Sequence, residues 1–359
     1  MSTLLPGITL SGSPEAAKQV FDHLQAMPVD EDQSGVNPEP VRKRRTTIAR
    51  PVSVQGPGTF FGKETRTIEF LPTEREGWWF DRSDFEDGLR IQVAIHNVWT
   101  TGQVVSNIVL RSGSPHNYVR LVEHIIALRM GMGIDDLIIK IDSGDPPLFE
   151  VGSMPLLEAL ESAGRVESGY PLNYVTVKEP VAFVTPDQKL LYFEPADPAD
   201  PKLELDCGIS FPNAIGDQRI KLVVNADTFR RGAHARTNTT ASKKLYCQTI
   251  GKLFADVRNL GYTDKNVLIA GKHRYHNQAG LVVDGKALEA VWHRAVLDLL
   301  AAVALIERGH FLGKIHSYKA GHAMDVDAVQ HLYRNDCLTK VSFGERDDST
   351  TEPPSLGRR

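Results

Sequence analysis

Glu123 and His124 stand side by side in the string YVRLVEHIIALRMGMGID, a carboxylate next to an imidazole in a segment that otherwise reads as a buried helix. Val119, Val122, Ile126 and Met130 recur at helical spacing and commit one face to a core, where a charged group is costly unless it finds a partner. A metal is one such partner. Zinc takes a neutral imidazole as ligand, and a carboxylate beside it can accept a proton from an attacking water. The plainer alternative is a Glu on the helix flank next to a core His with ordinary hydrogen bonds.

Three more polar residues sit where apolar packing does not explain them: His293 and Asp298 within EAVWHRAVLDLLAAVAL, and His322 at the end of HSYKAGH. Each has an ordinary explanation. His293 reads as a helix-surface residue near Trp292, Asp298 as the i to i+4 ion partner of Arg294, and His322 as a helix N-terminal residue after Gly321. Taken with Glu123 and His124 they form a kit for hydrolysis: imidazoles and a carboxylate to hold zinc, a second carboxylate as base, a further His as acid.

The elements that must position these residues follow from periodicity. TTIARPVSVQG, TRTIEFLP, GWWFDR, LRIQVAIHNVWTT and SNIVLRS read as strands, followed by the helix of Glu123 and His124, the strand LIIKID and a helix MPLLEALESAG stopping at Gly164. After a loop RVESGYPLN the order restarts with the strands YVTVKEPVAFVTP, KLLYFEP, KLELDCGISF and IKLVVNA. The amphipathic helix KKLYCQTIGKLFADVRNLG and the strand NVLIAG come next. A long helix is then expected from about Lys286 to Arg308, with Asp284 as N-cap and Gly309 just past its end, and a final helix after His322. The expected fold is α+β: two similar layered sheet-and-helix domains with the site in the cleft between them, although the halves show no residue-level repeat. The expected boundaries are a disordered arm over 1–45, with one short helix in SPEAAKQVFDHLQAM, domains over 46–170 and 171–342, and a disordered tail over 343–359.

Composition excludes several classes. With 41 basic and 45 acidic residues in 359, there is no field of the kind that gathers nucleic acid. Cys207, Cys247 and Cys337 are isolated thiols without CxxC spacing, which argues against a disulfide framework or thiolate zinc knot and fits a reducing compartment, with cytoplasm the expectation. The opening residues lack a secretory pattern, and the longest apolar run, AVLDLLAAVALI, is too short to span a bilayer and contains Asp298. No GxSxG elbow occurs, and GPGTFFGK has the wrong glycine spacing for a phosphate loop.

The order of the pieces resembles the UDP-3-O-acyl-N-acetylglucosamine deacetylases, zinc amidases of lipid A biosynthesis, over roughly residues 46 to 335. TTIARPVSVQGPGTFFGKETRTIEFLP is similar to the family's first hairpin and glycine turn, with Phe60 and Phe61 where the family has Leu-His. VEHIIALRMGMGID is similar to its most specific motif, PPLFEVGSMPLLEALESAG follows at the family's spacing, ARTNT resembles its Ala-Arg-Thr turn, and YKAGHAM its Lys-Ser-Gly-His-Ala-Leu. The resemblance implies His124, His293 and Asp298 as zinc ligands and Glu123 as the general base. It further implies His322 as the acid protonating the departing amine, Thr237 as a support for the oxyanion, and Lys319 and Arg294 as substrate contacts. It also implies an acylated UDP-amino sugar as substrate, transient contact with the inner membrane surface, a monomer, and release of acetate. Two alternatives remain: a paralogue that keeps the fold but binds zinc poorly and acts as a regulatory protein, and a nucleotide-sugar binding module without hydrolysis.

The chain also departs from that pattern. The family separates its His and Asp by three residues; here four intervene, so a regular helix at about 100° per residue would leave His293 and Asp298 about 140° apart. A π-bulge would restore the shared face, and a wide turn between 293 and 298 is therefore expected. Arg294 stands where the family has Lys, Ala302 where it has a second Asp orienting its catalytic His, and Glu150 replaces part of an Asp-Gly turn. The stretch 238–263, which in the family holds the acyl chain, has Asn238 in place of an aromatic and the polar run TTASKK.

Overall fold

The structure, a computed structural model, describes residues 4–60, 64–86, 88–102, 106–240 and 260–343. The helix expected over KKLYCQTIGKLFADVRNLG and the tail beyond 343 lie almost wholly outside the described residues. The class is mixed α and β. Two larger sheets dominate. One has seven strands in the order Ile8–Ser11, Val181–Val184, Leu190–Glu194, Gly313–Tyr318, Leu203–Phe211, Gly216–Val223, Glu31–Gln33. The other has five, in the order Val52–Pro57, Thr65–Leu71, Leu137–Ile141, Trp78–Arg82, Ile91–Gln92. Val52–Pro57 alternates exposed with half-buried residues, as a strand with one wet face must, whereas Val181–Val184 is buried throughout. One apolar cluster runs from Ile68, Phe70 and Phe80 of the five-stranded sheet through Ile125, Ile126 and Trp292 to Phe193, Leu205 and Ile220 of the seven-stranded one.

Residues 1–45 are the largest correction among the described elements. The expected disordered arm folds: Ile8–Ser11 and Glu31–Gln33 are the two edge strands of the seven-stranded sheet, and Pro14–Ala26 is a helix capped by Ser13, whose hydroxyl accepts from the Ala16 N–H. The helix has an apolar stripe, Ala17, Val20 and Leu24, spaced three and four apart, and it buries that stripe on Val184, Leu190, Tyr192 and Tyr318. The short helix in SPEAAKQVFDHLQAM is therefore present, but composition averaged over the whole segment hid its packing and the two strands beside it.

Four local readings change as well. Val119 belongs to the strand Tyr118–Arg120 rather than to the Glu123 helix, which is broken into Glu123–Ile126 and Leu128–Met132. RVESGYPLN is not a loop, since Arg165–Pro171 pairs antiparallel with Arg44–Ile48. LRIQVAIHNVWTT is interrupted by a 3-10 turn at Ile95–Asn97. The long helix is shorter at both ends. Asp284 lies at φ 49° in the hairpin joining Val282–Val283 to Lys286–Ala287, so it caps nothing; the helix runs from Glu289, and its last turn is Leu300–Val303.

Within that helix the expected wide turn is present. Glu289–His293 is α-helical, Arg294–Leu299 is a π-helix, and Leu300–Val303 is α-helical again. The π ladder joins residues five apart, the interval between His293 and Asp298. Against it lies the helix Ala226–Ala233, which the sequence reading did not identify. A Cβ on Gly232 would meet Val296 at 2.1 Å and Trp292 at 3.0 Å, so the close approach of the two helices requires glycine there.

Candidate active site

Glu123 and His124 begin a helix straight after a strand, and the chain makes that change through Leu121, a non-glycine residue in the left-handed region at φ 54°. Lys319 does the same at φ 52°, three residues before His322. Backbone strain at bulky residues persists only where the surroundings enforce it, and here both instances border the same cavity of about 420 Å³. Ser153 Oγ donates to the His124 carbonyl at 3.0 Å, tying the short helix to the start of the helix Met154–Ala163. Gly152, at φ 60°, precedes Ser153 where a Cβ would meet the Ala233 carbonyl at 2.3 Å.

Glu123, His124, Thr237, His293, Asp298 and His322 all line that cavity. His124 Nε2 lies 3.0 Å from His293 Nε2, and Thr237 Oγ1 lies 3.4 and 3.2 Å from those two nitrogens. Asp298 Oδ1 is 3.3 Å from His293 Nδ1 and 3.4 Å from His322 Nε2, which in turn is 3.8 Å from Glu123 Oε1. Glu123 is buried and accepts from the Ile108 N–H. The surface reading of His293 does not hold: it is 5% exposed, beside a fully buried Trp292.

Burial and His293 together push His124 down to about 3, so its ring is neutral and offers a lone pair at ordinary pH. Burial would lift Asp298, but His293 and His322 outweigh it and hold the carboxyl below the usual carboxylate range. Burial would lower His293, and Asp298 outweighs that in turn, leaving it raised. Glu123 is raised by burial against the pull of His322.

Among the described residues, no three His, Cys, Asp or Glu side chains form a ready-made metal-ligand group. Asp298 faces the Nδ1 side of His293, away from the two Nε2 atoms that confront each other. Even so, the donor set suits zinc in kind: His322 Nδ1 is buried without a hydrogen-bond partner, and Asp298 Oδ1 and His293 Nδ1 meet at 3.3 Å without good hydrogen-bond geometry.

Arg294 does not pair with Asp298. Its Nη1 and Nη2 each donate to Asp325 at 2.6 Å, and Nη2 also donates to Ser317 Oγ at 3.0 Å. Lys319 lines the cavity, with Nζ 5.8 Å from the centre of the Tyr318 ring. Sequence reasoning missed Asp325, although it follows His322 by three residues in HAMD and so shares its helix turn. It also missed Glu289, which is fully buried and accepts from the Arg236 N–H and guanidinium; that pair ties the residue before Thr237 to the helix of His293. Phe60, at the first motif's departure, is fully buried under the Arg120 guanidinium at 3.4 Å.

The model of the UDP-3-O-acyl N-acetylglycosamine deacetylase family matches residues 45–334. Proteins named UDP-3-O-acyl-N-acetylglucosamine deacetylase are similar along most of their length. The one from Bdellovibrio bacteriovorus is 29% identical over 80% of this chain and 88% of its own. Those from Syntrophotalea carbinolica and Solibacter usitatus are 26% and 25% identical, over 84% and 82% of this chain and 92% and 93% of theirs.

Proposed function

The chain belongs to the UDP-3-O-acyl N-acetylglycosamine deacetylase family, and from that premise we propose that it hydrolyses the N-acetyl group of a UDP-3-O-acyl-N-acetylglucosamine-like sugar with the help of zinc, releasing acetate in lipid A biosynthesis. His124, His293 and Asp298 would hold zinc, which supplies Lewis acidity toward the acetamide carbonyl and the attacking water. Glu123 takes a proton from that water as its oxygen bonds to the carbonyl carbon. Thr237 Oγ donates to the oxygen on which negative charge develops. His322, protonated, gives its proton to the sugar nitrogen as the carbon–nitrogen bond breaks, leaving a free amine and acetate.

The observation that carries this reading is the meeting of residues remote in sequence: two imidazole nitrogens 3.0 Å apart, with Thr237 on one side and the Asp298, His322, Glu123 series on the other. The cavity's other wall, with Leu148, Phe149, Leu156, Ile209 and Phe211, supports an acylated substrate. Among the described residues no helix is long and apolar enough to cross a membrane. On this reading the enzyme works in the cytoplasm and touches the inner membrane surface only to collect its lipid.

The test combines elemental analysis of purified protein with acetate release from the acylated UDP sugar. About one zinc per chain and turnover are expected, with zinc lost in His124→Ala, His293→Ala and Asp298→Ala. Folded, metal-free protein that binds UDP without releasing acetate would favour a nucleotide-sugar binding paralogue instead.

A further inference from the structure

His322 has no side chain fixing its ring through Nδ1, which is buried without a hydrogen-bond partner. Ala302, where the resemblance implies an orienting carboxylate, is buried and apolar. The ring is nonetheless delivered to within 3.4 Å of Asp298 and 3.8 Å of Glu123. Those carboxylates meet the ring at Nε2, its working end, and nothing holds it from behind at Nδ1, so the backbone that carries it must be fixed by other means.

The candidate is the buried ion pair one helical turn away. Asp325, 1% exposed, lies on the helix His322–Arg334 that His322 opens. Both of its oxygens are engaged by Arg294, the first residue of the π-helix and the neighbour of His293. The same guanidinium reaches Ser317 on the strand that leads through Lys319 to His322. One planar, five-donor group therefore joins the π-helix to both ends of the segment bearing His322. Three of its five N–H groups are committed in this way, both terminal nitrogens among them, so the guanidinium is held by the fold.

We propose that Arg294 and Asp325 are positioning residues, a buried latch that sets His322 against Asp298 and Glu123, and that Arg294 acts through this latch rather than by holding substrate. The inference rests on the reading of His322 as the acid.

Arg294→Lys and Asp325→Asn break the two-pronged contact, and each is to be made in the full chain alone and combined with His322→Ala. A ring misplaced by about 1 Å lowers turnover on the order of 10²-fold. The singles should therefore lose kcat on that scale, with KM within about threefold and zinc content unchanged, and should cost almost nothing more once His322 is Ala. A crystal structure of Asp325→Asn should show the imidazole displaced from Asp298. A raised KM with kcat intact, a full cost persisting in the His322→Ala background, or an unmoved ring would each overturn the latch. Absence of acetate release from the unaltered protein would instead sink the deacetylase reading, and the ring position in Asp325→Asn would still decide the latch.

Discussion

A buried carboxylate stands to lose most when its chemistry is altered without altering its shape, and Glu123 is such a group: 4% exposed and held by the Ile108 N–H. Glu123→Gln keeps an acceptor for that N–H and leaves the three proposed zinc ligands in place. It removes only the capacity to take a proton. The expected result is a fall in kcat for acetate release of about 10²–10⁴-fold, with zinc content and thermal midpoint unchanged. A fall of less than about tenfold would remove Glu123 from the role of base. Glu123 and His124 stood out in the sequence because a charge amid Val122 and Ile126 needs a reason. Asp325 and Glu289 did not, since a single acidic residue in a helix usually faces water, and only the partners Arg294 and Arg236 show otherwise.

At the scale of elements, the helix bearing His293 shows how an awkward spacing is accommodated. His293 and Asp298 stand five positions apart, and the π-helix Arg294–Leu299 returns both to one cavity. Excising Ala295 should convert the stretch to a regular helix in which the same two residues stand four apart, again on one face. The shortened protein is expected to keep about one zinc per chain, measured by elemental analysis, and a thermal midpoint at least equal to that of the parent. Folded protein without zinc would show that the wide turn does more than restore the register. The spacing announced this turn once it was set against that of the family the chain resembles. The break between Glu123–Ile126 and Leu128–Met132 had no such signal, because its apolar residues suit either a continuous or a divided helix.

Seen as a whole molecule, the protein depends on a segment outside the family match, which begins at residue 45. Leu24 is fully buried between the first helix and the seven-stranded sheet, with Gly208 leaving room for it. Leu24→Ala is expected to cost about 2–5 kcal/mol in denaturant unfolding, whereas an arm that merely rested on the surface would show a change near zero. The segment is also held by charge: Arg219 donates to Asp206 and to the carbonyls of Gln25 and Met27, and His316 sits between Asp206 and Glu194. Burial would lower His316, but these two carboxylates outweigh it and leave it raised above its ordinary 6.5. A raised imidazole stabilises the fold below its unfolded pKa and loses that contribution as pH rises through the folded value. The stability gap between the parent and His316→Gln should accordingly be widest just below pH 6.5 and shrink on the alkaline side. A gap that grew with pH would contradict the charged pairing.

The family and the mixed α and β class follow from the amino-acid order, and through the resemblance so do the candidate residues that meet in the cavity and the wide turn at 293–298, because motif order and hydrophobic period are written locally. Which partners those residues choose was left to the fold. Arg294 could pair with Asp298 four residues on, yet it joins Asp325 from another helix; the first 45 residues could be disordered by composition, yet they complete both edges of a sheet. Such choices turn on burial and on surfaces brought together from distant parts of the chain, and neighbours in sequence carry no record of them.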